Sequence, residues 1–348
     1  MKSAVFVKSG QMAIEDIQKP TIVEADDAVI RVVRSCVCGS DLWSYRGDDN
    51  KAEHSPNTGH EIIGIVEEVG SDVNTVKKGN FVIAPFTHGC GHCAACSAGY
   101  EGGCQSHGAD TNFSFGYQAE YVRYTHADWS LVKIPGQPSD YSEGMIKSFL
   151  ALADVMPTGY HAARVANVKE GDTVAVVGDG AVGLCAVIAA KLRGAKRIII
   201  MSRHEDRQKL ALEFGATDIV AERGEEGVAK VLELTGGAGV DAALECVGTH
   251  LSTETAISIA RPGATIGRVG VPHTDDINVG DYFMKNTVFA GGPASVTTYD
   301  KAVLLKAVLD GVINPGKVFT QSYSLDDIDQ AYKDMADRKT IKSMLVVE

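Results

Sequence analysis

Positive charge is what this chain has least of: 33 lysines and arginines stand against 45 aspartates and glutamates, a formal net charge of -12 over 348 residues. A nucleic acid or an anionic membrane needs clustered positive charge, so neither is an expected partner. Long apolar runs are also missing. None approaches the roughly 20 residues that a bilayer crossing requires. The opening segment, Met1 to Lys8, alternates like a strand and is too short in apolar length for a secretory leader. Internal repeats and low-complexity linkers are absent. What remains is a globular composition, 45% hydrophobic and 22% charged, in a chain long enough for two domains of ordinary size.

The chain carries 8 cysteines, and Cys90, Cys93, Cys96 and Cys104 fall within one short loop. In a reducing compartment that spacing reads as metal binding before disulfides, and the expected location is the cytoplasm. Four thiolates around one ion make a closed zinc site, whose role is structural. The competing readings are four free or disulfide-paired cysteines, or an iron-sulfur cluster bound by the same ligands. His92 and His107 lie close by, but the ligand count is complete without them, and they read as solvated loop residues.

From Met1 to about Pro135, short β-forming runs alternate with Gly, Pro, Asn and Asp, as in Ala28 to Val33, Ile62 to Val66, Phe81 to Ala84 and Ala119 to Val122. Such spacing predicts a barrel-like or sandwich β domain. After Pro138 the pattern turns helical, with Ser148 to Val155 leading into Tyr160 to Ala163. From Gly171 strand and helix alternate. Thr173 to Val177, Arg197 to Met201, Val240 to Cys246, Thr265 to Val269 and Thr287 to Ala290 are apolar strands. Ala181 to Arg193, Gln208 to Phe214, Ala229 to Leu234 and Ser252 to Ala260 are helices between them. Apolar strands alternating with helices predict a doubly wound parallel sheet covered on both faces. Helices at Lys301 to Leu309 and Asp327 to Asp337 and a strand at Ser343 to Val347 close the chain.

Two groups of residues carry chemistry beyond the cysteine loop. Cys38, in Cys38-Gly39-Ser40-Asp41, and His60, in Gly59-His60-Glu61, are donors that zinc prefers, and Glu61 and Asp154 offer carboxylates to complete a tetrahedral site. Farther on, Gly178-Asp179-Gly180-Ala181-Val182-Gly183 follows an apolar strand and opens a helix, the context of a dinucleotide fingerprint. The first glycine makes the turn, the second admits the pyrophosphate to the backbone, and the third lets helix and strand pack, with the helix N-terminus facing the phosphate charge. At the end of the next strand an acidic residue would hold the ribose 2'-hydroxyl of NAD. Here the chain reads Met201-Ser202-Arg203-His204. Arg203 can pair with a 2'-phosphate and Ser202 can donate to it, which favours NADP. Glu205 and Asp206, just beyond, keep NAD as the alternative.

Taken in order, these pieces resemble the zinc-dependent medium-chain alcohol dehydrogenases, and the resemblance runs over essentially the whole chain. It implies an α/β protein with a GroES-like β-rich catalytic domain at 1–155, a Rossmann dinucleotide-binding domain at 156–295, and a return to the catalytic domain at 296–348. It implies a catalytic zinc on Cys38, His60 and a third ligand matching Asp154, the form of the bacterial secondary-alcohol branch. Glu61 approaches the metal in some relatives, and Ser40 fills the place of the hydroxyl that hands on the alcohol proton. The expected reaction is hydride transfer between NADP(H) and an alcohol and its carbonyl partner, in a cleft between the domains, in a homodimer or homotetramer. One departure is Trp43, where many relatives carry a proton-relaying histidine, so His54 or water takes that step. Trp43 and Phe113 are candidate pocket lining. A polyol, threonine or formaldehyde-type dehydrogenase of the same family using NAD, or a zinc- and dinucleotide-binding protein without catalysis, are the competing readings.

Overall fold

The β-forming runs of the first third become seven strands: β1 (Lys2–Lys8), β2 (Gln11–Asp16), β3 (Ala28–Cys36), β4 (Ile62–Val69), β5 (Phe81–Ala84), β6 (Tyr121–Tyr124) and β7 (Val132–Ile134). This computed structural model describes residues 1–49, 51–107, 116–272, 279–295 and 298–348. Strand β3 is buried along most of its length because it has neighbours on both sides, β4 and β6 each pairing with it antiparallel. Its residues Ala28, Ile30 and Val32 pack with Ile62, Val66, Val82 and Tyr124 in one apolar cluster. A short helix that the strand-rich pattern of this region does not announce, Asp41–Arg46, follows β3 and ends on Gly47 at φ 81°.

The predicted helix from Ser148 into Tyr160 is two helices, Glu143–Ala151 and Val155–Val165, with a turn over residues 152–154. That break places Asp154 in a turn and not on a helix face.

The alternating segment forms β8 (Thr173–Val177), β9 (Arg197–Met201), β10 (Asp218–Val220), β11 (Val240–Glu245), β12 (Ala260–Arg268) and β13 (Val288–Gly291). All pairs in this sheet are parallel, in the order β10-β9-β8-β11-β12-β13. Strand β10 has only three residues, too few to give a periodic signal in the sequence. The chain winds outward from β8 in one direction and then from β11 in the other. The β8 end therefore lies at the switch point where such sheets take their ligands.

Two more strands, β14 (Phe319–Ser324) and β15 (Lys342–Val346), rejoin the first sheet, whose order is β14-β15-β3-β4-β5-β7. Antiparallel pairing sets Met344 opposite Cys36. By density of contacts the chain forms two units, Met1–Asp154 with Val296–Glu348, and Val155–Ser295. The whole is a two-domain α/β fold. Among the described residues no helix is long and apolar enough to cross a membrane.

Candidate active site

Four side chains from three separate stretches meet in the first unit. Donor atoms of Cys38, His60, Glu61 and Asp154 all lie within 4.8 Å of one another. Cys38 sits two residues beyond β3, where its backbone N–H donates to Asp41 Oδ2 at 2.8 Å. His60 is 4% exposed, with Nε2 3.4 Å from Asp154 Oδ2 and Nδ1 3.7 Å from Asp41 Oδ1. Asp41 thus holds the Cys38 loop by a hydrogen bond and sets a negative charge on the far side of the imidazole, beyond hydrogen-bond distance. Cys38 Sγ lies 3.5 Å from Asp154 Oδ2. Gly59, at φ 72°, turns the chain just before His60, and a Cβ there would strike the Gln118 side chain at 2.5 Å.

Glu61 is fully buried. Its Oε1 accepts from Lys342 Nζ at 2.6 Å, and its Oε2 has no hydrogen-bond partner. Lys342, 1% exposed, also donates to the Val37 carbonyl at 3.2 Å. This lysine was not anticipated. Its signal was a single charge within the apolar strand from Ile341 to Val346. Burial pushes the Cys38 thiol and the Glu61 carboxyl up, with Lys342 pulling against both. Burial would lower His60, but the Cys38 and Asp154 groups beside it outweigh that and raise it. A dication among these donors would reverse such shifts. Sulfur, imidazole and carboxylate donors, with an orphaned buried carboxylate oxygen beside them, are a donor set that fits zinc.

Ser40 is exposed and immediately precedes the helix Asp41–Arg46, with no capping hydrogen bond from its side chain. Trp43 is partly buried on that helix. The His54 side chain is 68% exposed, 4.0 Å from Glu15, so it faces solvent. Phe113 lies outside the described residues. Phe86, not singled out from the sequence, places its ring centroid 5.9 Å from that of His60.

The cysteine loop is a separate cluster. Cys90, Cys93, Cys96 and Cys104 also hold their sulfurs within 4.8 Å, and all are free thiols. Backbone N–H groups point at the sulfurs: Cys90 to Cys104 Sγ at 3.4 Å, Cys93 to Cys90 Sγ at 3.4 Å and Cys96 to Cys93 Sγ at 3.5 Å. Against the effect of burial, the Ser106 hydroxyl and the N–H groups of His92 and Cys93 bring the Cys90 thiol down to about 5. Amides aimed at sulfur favour thiolate, the form that binds zinc. His92 is exposed, bonded to its own loop at Cys90 O, and the His107 side chain lies outside the described residues.

In the second unit the glycine loop has the geometry its spacing implies. Gly178 has φ 116°, Gly180 caps the helix Ala181–Leu192, which begins with Ala181 and Val182, and a Cβ on Gly183 would sit 2.0 Å from the Gly178 carbonyl. Asp179, within the loop, accepts from Ser202 Oγ at 2.8 Å and from Arg207 at 3.0 Å. Ser202 follows β9 and is buried, Arg203 is exposed with no ion pair among the described residues, and His204 caps the helix Glu205–Phe214. Arg207 was not anticipated, because a lone arginine inside a helical segment carries no motif.

Known proteins resemble this chain in sequence and in fold. The family model described as alcohol dehydrogenase GroES-like domain matches residues 24–136, and that described as zinc-binding dehydrogenase matches residues 181–303. An alcohol dehydrogenase of Cupriavidus necator is 32% identical, covering 97% of this chain and 96% of its own. A glutathione-independent formaldehyde dehydrogenase of Bacillus subtilis is 29% identical over 99% of this chain and 96% of its own. The solved structure of the alcohol dehydrogenase TADH from Thermus sp. ATN1 superposes with a TM-score of 0.89 at 29% identity, covering all of both chains.

Proposed function

This chain belongs to the zinc-dependent medium-chain alcohol dehydrogenase family, and from that premise we propose that it transfers hydride reversibly between NADP(H) and an alcohol and its ketone or aldehyde. The observation that carries this reading is the convergence of Cys38, His60 and Asp154 beside the orphaned oxygen of Glu61. Cys38, His60 and Asp154 would hold the catalytic zinc, and Cys90, Cys93, Cys96 and Cys104 a structural one. Bound zinc supplies a Lewis acid that draws the pKa of the substrate alcohol toward neutrality.

In the oxidative direction a bound nicotinamide would accept the carbinol hydrogen together with the C–H electron pair, and Ser40 would take the hydroxyl proton. The exposed Ser40 hydroxyl opens the next step to solvent, since Trp43 occupies the usual relay position and His54 faces Glu15. Lys342 fixes one oxygen of Glu61 and leaves the other beside the donors, where it would be placed to serve a bound zinc as an occasional fourth ligand.

NADP is the preferred cofactor in this reading because the residues after β9 carry a free cation, Arg203, and no carboxylate at Ser202 or Arg203. The second reading, a formaldehyde-type enzyme, is favoured by the likeness to the Bacillus subtilis protein, and Glu205 and Asp206 beyond Arg203 are the carboxylates that would suit NAD in it. Assembly as a homo-oligomer fits the edge strand β13, where Val288 is 53% exposed and the nearby Phe283 and Met284 are 75% and 78% exposed.

A panel of primary and secondary alcohols, polyols, threonine, formaldehyde and carbonyls, run with NADP(H) and NAD(H) and followed at the nicotinamide absorbance, tests the proposal. Turnover of an alcohol and ketone pair with NADP(H) preferred is expected. The best kcat/KM on formaldehyde with NAD would establish the second reading, and no turnover with either cofactor would overturn both.

A further inference from the structure

In sheets of this kind the adenosine end of a dinucleotide is read by the residue after the second strand, where a carboxylate accepts the ribose 2'-hydroxyl of NAD. Here that position is Ser202, which carries no charge. A carboxylate nevertheless arrives there from the neighbouring turn. Asp179, between the first two glycines of the loop, bridges from the end of β8 to the end of β9, its Oδ2 accepting from Ser202 Oγ at 2.8 Å. Its Oδ1 accepts from Arg207 at 3.0 Å, and the same nitrogen of Arg207 lies 3.3 Å from the Asp179 carbonyl. Asp179 is 9% exposed and Ser202 3%.

We propose that Asp179 is a specificity-determining residue for the cofactor, supplying from the glycine loop the carboxylate that β9 lacks and so limiting the preference for a 2'-phosphate. The proposal rests on the reading of this loop as a nicotinamide dinucleotide site. Its physical basis has three parts. A serine hydroxyl has one hydrogen, and that of Ser202 goes to Asp179, so toward a ligand Ser202 offers lone pairs, which suit a 2'-hydroxyl and not a phosphate. Arg207 is already paired with Asp179, whereas Arg203 is exposed and has no ion pair among the described residues. A phosphate ester carries a charge of about -2 near neutral pH, and a buried carboxylate repels it through a poorly screening medium. Arg203 draws the phosphate in and Asp179 opposes it.

The experiment compares the wild type with Asp179→Asn and Arg207→Gln in the full chain. It measures kcat/KM with NADP and NAD, Kd for NADPH and NADH by nicotinamide fluorescence, and thermal midpoints. Asp179→Asn is expected to raise the NADP to NAD ratio about tenfold, in both kcat/KM and Kd, because it removes the repulsion and releases Ser202 and Arg207. Arg207→Gln leaves the carboxylate uncompensated and is expected to lower the ratio. If Asp179→Asn fails to fold, the Arg207→Gln ratio decides. Equal weakening of both cofactors, or an unchanged ratio, would mean that Asp179 only ties the two strand ends together and would overturn the proposal. A wild-type chain that binds neither NADPH nor NADH would overturn the dinucleotide reading itself.

Discussion

At the residue scale the least expected feature is Lys342, a lysine sealed in a strand that otherwise reads as plain core. Its ammonium meets a carboxylate that is itself fully buried, at 2.6 Å. Removing one partner of such a pair strands the other charge in a medium that cannot solvate it, a cost of about 3 to 5 kcal/mol. Lys342→Met should therefore lose stability on that scale in urea denaturation. The double variant Lys342→Met/Glu61→Gln should recover most of the loss, because a neutral amide no longer needs the cation. A double variant no more stable than the single one would show that Lys342 acts through packing and not through Glu61. Cys38 and His60 stand in contrast. Their donor chemistry was legible because few roles other than metal binding ask for a thiol and an imidazole in this ordered setting, whereas a lysine in a strand has no characteristic reading.

At the scale of the element, the helix Val155–Val165 shows how a local pattern can be right in kind and wrong in extent. The apolar run from Ser148 onward does form helix, but the turn over 152–154 interrupts it, and that interruption delivers Asp154 to Cys38 and His60. The break carries neither a proline nor a glycine, so no turn residue marked it. The same helix buries His161, 1% exposed, whose Nδ1 accepts from Arg164 at 3.3 Å. Burial first, and then the Arg164 charge, push this imidazole from 6.5 down to about 4. The folded value lies below the unfolded one, so the unfolded chain takes up a proton that the folded chain refuses. The stabilisation is fully present above pH 6.5 and is lost as the pH falls toward 4. Between pH 7 and pH 5 the loss from this group should be about 2 kcal/mol. His161→Gln has no such titration, and the unfolding free energy from urea titrations at the two pH values should fall less in the variant than in the wild type by that amount. Equal falls would remove His161 from the account of acid sensitivity.

At the scale of the whole molecule, the two donor clusters are independent in sequence and in chemistry, one made of four cysteine sulfurs and one mixed, with a carboxylate to spare. Elemental analysis of the purified chain should find two zincs. Asp154→Asn and Cys38→Ala should each lower the count to one and abolish turnover, and Cys93→Ser should lower it to one by emptying the other cluster. Fluorescence titration with NADPH should still detect binding in Asp154→Asn and Cys38→Ala, because the glycine loop belongs to the other unit. One zinc in the wild type, held by the cysteine loop alone, would sink the catalytic assignment.

The sequence alone determined the kinds of donor, the gathering of four cysteines in one loop, the parallel sheet and the glycine turn at its switch point. Each of these is written in local periodicity or spacing, which act over a handful of residues. Tertiary structure decided which groups answer one another across the chain. Lys342 reaches Glu61 over 281 positions because antiparallel pairing sets β15 against β3 in one register. Asp154 reaches Cys38 over 116, and Asp179 reaches Ser202 over 23 because β8 and β9 lie side by side. Nothing in a local pattern specifies a register between distant strands. That choice belongs to the packing of the whole sheet, and with it come the charges that surround the metal donors and the dinucleotide loop.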